Sequence, residues 1–273
     1  MATPLTPSQL RRASVELLTS GTFPPIATSI TTSTADQVPQ CREALNVLRA
    51  AVQSADSALI NGQVINRMSK LADGKEVKGT WATPAQDSLR AAVLFAGAGL
   101  DRSLKRLAED TLMDLVDFDE LTNKRLHDFS EQEISAGDAI DPKSLIALLL
   151  ARGATPREML VNRWIYSLGA ASAQSASRVR EFASALGVVD KDIRKRIEPT
   201  DNKGSKLEKA FSARNEIAHE LDVKEPEAGV RQRLERIRRS RSLADAQTYV
   251  VEMLDVTQVI INDVARRLTE ARD

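Results

Sequence analysis

The segment Phe211–Asp222 reads FSARNEIAHELD and carries one of the chain's two histidines. Arg214 stands five residues before His219, and Asn215 stands four before it. These three residue types suit phosphodiester cleavage. An imidazole takes or gives a proton near neutral pH. A guanidinium clamps a phosphate and stabilises the charge that develops on it. RNA brings its own nucleophile, the ribose 2′-hydroxyl. Asn215 can then orient the imidazole or hold the phosphate.

At about 100° per residue, Asn215 and His219 share one helix face, whereas Arg214 and His219 diverge by about 140°. Two arrangements satisfy this geometry. The long Arg214 side chain can curl round its own helix, or two copies of the helix can face each other and share a cleft. A non-catalytic alternative also fits the residues. His219 then serves as a helix C-terminal residue favoured by the macrodipole, and Arg214 joins Glu208, Glu216 or Glu220 on a solvated face.

Downstream, Arg231–Arg241 reads RQRLERIRRSR, with six arginines in eleven residues. Arg231, Arg233, Arg236, Arg238, Arg239 and Arg241 can track an RNA backbone. They can equally form a solvated face with Glu225, Glu227 and Glu235, or meet an acidic protein. No aromatic interrupts the run, so base stacking is not its main grip. Phe95–Ser103 (FAGAGLDRS) superficially resembles a dinucleotide-binding loop, but Arg102 stands where the third glycine is needed and the βαβ setting is missing. Gly97 and Gly99 read better as points where another helix approaches closely. His127, within NKRLHDFSEQE, receives no role.

Lys plus Arg and Asp plus Glu both number 38, so any nucleic-acid site must be a local patch rather than a global field. Cys41 is the sole cysteine. It cannot form an internal disulfide or build a zinc site with two distant histidines, so neither a metal nor another cofactor is expected. A reducing, cytoplasmic setting follows. The N-terminus, MATPLTPSQLRRASVELL, does not read as a secretory signal. Apolar runs such as Ser144–Ala151 are too short to span a bilayer.

The elements around the motif are helical. Aromatics are scarce, Ala and Leu dominate the apolar residues, and no alternating β pattern or fixed-period repeat competes. The pattern predicts helices at Pro7–Thr19 and Pro39–Leu71, with a Pro/Ser/Thr-rich linker over 20–38 and a turn-rich gap, open to a hairpin, over 73–83. The strongest periodicity runs through Leu89, Val93, Ala96, Leu100, Leu104, Leu107 and Leu115, with Pro84 at its start. Shorter helices are expected near 119–134, 142–151, 156–168, 174–186 and 190–197, punctuated by Gly153, Gly187 and Pro199. The motif helix begins near Ser205, after Asn202, Lys203 and Gly204. Leu243, Ala246, Val250, Met253, Ile260, Val264 and Leu268 mark a long final helix.

Arg214-Asn215-Glu216-Ile217-Ala218-His219 resembles the signature of HEPN-domain ribonucleases, in which four to six residues separate an arginine from a histidine. An amphipathic lead-in through Leu207 and Phe211 matches too. Leu89–Leu112 (LRAAVLFAGAGLDRSLKRLAEDTL) resembles the opening helix of the RiboL-PSP-HEPN-like branch, where a small-residue apolar segment passes into a charged one. The resemblance covers about Pro84 to Arg272. It implies an all-α, HEPN-like helical bundle over 84–273, preceded by an N-terminal helical extension over 1–83. It also implies a homodimer and metal-independent cutting of RNA by 2′-hydroxyl attack, with Arg214, His219 and Asn215 as catalytic residues and Asp101 as an auxiliary acid. A toxin or antiviral-defence role follows from the same resemblance, with an antitoxin or defence-system protein as partner. A non-catalytic module that dimerises and binds RNA, nucleotide or protein is the alternative. One subfamily is controlled by a nucleotidyltransferase that modifies a tyrosine two residues after the histidine. Leu221 occupies that position here, which puts this control in doubt.

Overall fold

A computed structural model describes residues 34–72, 81–135, 155–198, 204–223 and 238–271, with Ile146 and Gly153. The expected helix at Pro7–Thr19, all but Ile146 of the one at 142–151, most of the 20–38 linker, nearly all of the 73–83 gap, and Pro199, Asn202 and Lys203 lie outside these residues. So do Arg231, Arg233 and Arg236.

The described chain is all-helical. After a 3-10 turn at Thr34–Gln37 come α1 (Pro39–Ala72), α2 (Thr83–Phe118), α3 (Glu120–Ser135), α4 (Pro156–Ala170), α5 (Ala176–Ala185), α6 (Lys191–Ile197), α7 (Lys206–Glu220) and α8 (Leu243–Glu270). Among the described residues no strand forms, and Val223 and Arg238 make only an isolated antiparallel bridge. No helix among them is long and apolar enough to cross a membrane.

Local chemistry explains the helix starts. Pro39 and Pro84 occupy first-turn positions, where a missing N–H costs nothing. Thr155 and Glu158 form a reciprocal capping box on α4. Ser205 and Glu208 do the same on α7: the Ser205 amide donates to Glu208 Oε2 at 2.6 Å, and the Glu208 amide donates to Ser205 Oγ at 3.1 Å. Gly204, at φ +66°, supplies the left-handed step just before this cap.

Contacts divide the chain into two compact units. The first holds the described residues within Ala50–Ala98 and Lys209–Leu254. Its core includes Leu59, Leu89, Val93, Phe211, Ile217 and Val250. The second holds those within Ile30–Arg49, Gly99–Glu208 and Asp255–Asp273. There Leu100, Leu104, Leu107 and Leu115 of α2 are buried, as are Phe182, Ile260 and Val264. All seven stripe residues expected on α2 are at most 1 % exposed, so the three-and-four spacing is the buried face. Within the second unit α3 packs on α4 and α5, and α5 packs on α6. Arg267 of α8 ties the α5–α6 connection there, pairing with Asp119 and donating to the Leu186 carbonyl.

Candidate functional site

The first unit holds the Arg-Asn-His motif on α7. Ala210, Phe211, Ala213 and Ile217 bury one face of that helix, which fixes its rotation about its own axis. Arg214 is half-buried beside that face. Its stem crosses α2 at Gly97, where an added Cβ would lie 3.2 Å from Arg214 Cγ. Gly97 therefore marks a close helix approach, and the group that uses the space is an arginine side chain. The Arg214 guanidinium donates to Asn215 Oδ1 at 3.0 Å. His219 is exposed in the last turn, and its imidazole makes no hydrogen bond or ion pair among the described residues. The structure thus joins Arg214 to Asn215 and presents His219 separately.

Asp101 belongs to the second unit. Its Oδ1 accepts the Ala173 amide at 2.5 Å and lies 3.3 Å from Lys105 Nζ. The carboxylate is thus engaged in holding the chain that leads into α5.

Beyond His219 the helix closes in an unusual way. Leu221 (φ 51°) and Asp222 (φ 62°) both take left-handed backbone conformations without being glycine. The Val223 amide donates to the Glu220 carbonyl at 3.0 Å, and the Asp222 amide reaches back to the Glu216 carbonyl at 2.9 Å. Positive φ at both central residues is the requirement of a type I′ turn. Leucine is a poor residue for it, so backbone strain sits two residues after the histidine.

A buried ion-pair knot holds that turn. Asp222 is fully buried and accepts from Arg90 Nε at 3.0 Å, Arg241 Nε at 3.0 Å and Arg241 Nη2 at 2.6 Å. Arg241 also donates to Glu216 of α7 at 2.9 Å. Arg90 donates to the Arg239 carbonyl at 2.7 Å, and the Arg239 amide donates to the Asp222 carbonyl at 2.8 Å. Gln86 clasps the Arg241 backbone from both sides, accepting its amide at 2.8 Å and donating to its carbonyl at 3.1 Å. Burial alone pushes the Asp222 carboxyl up. Hydrogen bonds and charge from Arg241 and then Arg90 outweigh it, leaving Asp222 below the usual carboxylate range.

The knot changes the account of the basic run. Arg241 neutralises Asp222 and Glu216 with a side chain only 11 % exposed. Arg238 pairs with Asp87 at 3.0 Å and donates to the Leu221 carbonyl. An RNA backbone would have to compete with protein carboxylates for both. Arg239 is the more accessible of the three, 44 % exposed against Glu216 at 3.3 Å. The motif pointed to Arg214 and His219 but gave no sign of Arg90, Gln86 or Asp222. The only local hint of Asp222 is an acid directly after a helix end, and its partners come from 132 and 19 residues away.

Comparison with family models, curated proteins and solved structures finds no match to this chain.

Proposed function

We propose that this chain is a metal-independent endoribonuclease of the HEPN type. The observation that carries it is the arrangement on α7, where Arg214 is held against Gly97 with its guanidinium on Asn215 and an exposed His219 follows on the same helix. In the proposed reaction the His219 imidazole accepts the proton of a ribose 2′-hydroxyl, and that oxygen attacks the adjacent phosphorus. Arg214 offers N–H donors and positive charge to the non-bridging oxygens as charge builds on them. The bond from phosphorus to the 5′-oxygen breaks, and that oxygen takes a proton from an imidazolium. The products are a 2′,3′-cyclic phosphate and a 5′-hydroxyl.

The divergence of Arg214 and His219 supports a cleft shared between two copies. Leu221, 67 % exposed beside the histidine, offers such a copy an apolar contact. A cytoplasmic toxin or antiviral-defence effector, with an antitoxin or defence-system partner, is part of the proposal and rests on the family resemblance.

One observation favours a second reading, a non-catalytic dimeric module binding RNA, nucleotide or protein. His219 lacks, among the described residues, the orienting hydrogen bond that catalytic imidazoles commonly have. Incubating end-labelled RNA with wild type, His219→Ala and Arg214→Ala in EDTA separates the two. Cleavage by wild type, lowered at least about a hundredfold in each folded variant, supports the ribonuclease. RNA binding without cleavage by any form supports the module.

A further inference from the structure

The second compact unit contains two adjoining recesses that share Arg125 of α3 and Ser184 of α5. The first, about 200 Å³, lies among α3, α5 and α6 and is lined by the guanidinium-bearing side chains of Arg125, Arg180 and Arg194. The second, about 270 Å³, lies among α3, α4 and α5 and is walled by Phe129 and Trp164. Those two rings stack at 6.0 Å between centroids and 25° between planes. Trp164 is buried and Phe129 half-buried, so Phe129 is the aromatic surface open to the recess.

The charges of the first recess are only partly matched. Arg194 is paired with Glu198 at 2.9 Å, and Glu198 also lines the recess. Among the described residues Arg125 has one long contact, 3.4 Å to Asp128. Arg180 makes no side-chain hydrogen bond or ion pair among the described residues. Three arginines meet two carboxylates, Glu198 and the more distant Asp128, so one positive charge is left over, at Arg180, and a bound anion answers it. Guanidinium groups match phosphate geometry in particular. Leu121, Val188 and Ile197 line the same recess, while the Arg125 and Arg194 side chains stay open to solvent, so a phosphate can reach them without a conformational change. In the second recess the carboxylates are engaged elsewhere, Asp128 with Arg125 and Glu181 with Arg178. An aromatic face next to a phosphate-binding cluster is the combination that holds a base and its phosphate together. Together the two recesses reach the size of a small-ligand site.

We propose that this groove binds a nucleoside 5′-monophosphate. The phosphate sits among Arg180, Arg194 and Arg125, the ribose passes Ser184, and the base stacks on Phe129. The site does not depend on RNA cleavage by α7 and holds whichever reading of that helix is correct.

Titration of the full chain with AMP, adenosine and inorganic phosphate tests it. Calorimetry gives affinities, and Trp164 emission in a Trp81→Phe background reports occupancy of the aromatic recess. AMP should bind saturably and perturb Trp164 emission. Adenosine and phosphate should each bind at least about tenfold more weakly. Arg180→Gln should weaken AMP binding at least about tenfold, with unchanged circular dichroism. Arg194→Gln is the second variant, should the first fail to fold. Phe129→Leu should weaken AMP but not phosphate. No saturation by about 1 mM AMP would overturn the proposal. So would adenosine binding as tightly as AMP, or Arg180→Gln and Arg194→Gln leaving AMP affinity unchanged.

Discussion

Arg214 and Gly97 are in direct contact: the arginine stem lies where a Cβ on residue 97 would come within 3.2 Å of its Cγ. A glycine inside a long helix ordinarily costs about 0.5–1 kcal/mol relative to alanine. Here the missing methyl group makes room for the residue that the proposed reaction needs most.

Gly97→Ala should therefore separate stability from activity. The helix gains propensity while Arg214 must shift by a few tenths of an ångström, so stability should change by less than about 1 kcal/mol. RNA cleavage should fall about tenfold through misplacement of the guanidinium. Urea midpoints and initial rates measure the two effects. Unchanged cleavage in a folded Gly97→Ala protein would remove Arg214 from the reaction.

The Asp222 knot predicts a particular acid sensitivity. Its carboxyl lies below the ordinary range in the fold, so its stabilising contribution is complete above the unfolded value near 4. That contribution is lost as pH falls through the lower folded value. Asp222→Asn should flatten this limb of the stability curve below about pH 4, read from urea midpoints across a pH series. At neutral pH Asp222→Ala should cost about 2–4 kcal/mol, because it removes the buried carboxylate that Arg90 and Arg241 share and leaves them only Asp87 and Glu216.

The arginines of the basic run should divide into two kinds. Arg241→Gln should destabilise the fold by a similar few kcal/mol, as the other half of a buried pair. Arg239→Gln should change stability by less than about 0.5 kcal/mol. It should lower the salt dependence of RNA binding by about one counterion if Arg239 meets a phosphate. Equal effects of the two on stability would mean that the knot is not the support it looks to be.

Leu221→Gly should stabilise the protein despite deleting a side chain. The leucine is 67 % exposed and held at φ 51°, so little burial is lost and about 0.5–1 kcal/mol of left-handed strain is relieved. A lowered thermal midpoint would show that the exposed leucine is buried in solution, by a second copy above all.

The shared cleft has a direct test. Arg214→Ala and His219→Ala protomers, each inactive, are mixed and allowed to exchange. Partial recovery of cleavage shows that one cut draws its arginine and histidine from different chains. A fully active monomer in solution would return both residues to a single-chain geometry.

Periodicity is enough to locate α1, α2 and α8, because each buries an apolar stripe that the spacing displays. The Asn202-Lys203-Gly204 entry marks the start of α7 near Ser205, and the structure adds the reciprocal Ser205–Glu208 cap that holds it. The end of α7 was another matter. Neither Leu221 nor Asp222 carries the glycine or asparagine signal that normally marks a left-handed turn. The force that holds the turn comes from Arg90 and Arg241, which only the tertiary fold brings to Asp222. The arginine-rich run showed charge but not which carboxylates answer it, and for Arg238 and Arg241 the answer lies inside the protein.

The last turn of a helix is normally where fraying starts, and amide hydrogens there exchange within a few openings. In α7 that turn is bound through Glu216 and Asp222 to Arg241, and through Asp222 to Arg90. Releasing the Ile217–Asp222 amides would mean pulling a buried carboxylate from two guanidiniums. Their deuterium uptake should then track opening of the whole first unit, slow and cooperative, while the His219 ring turns freely on that stiff support. An imidazole on a rigid backbone with a free side chain can be aimed by whatever docks against it, so in the proposed reaction incoming RNA or a second copy would complete its alignment.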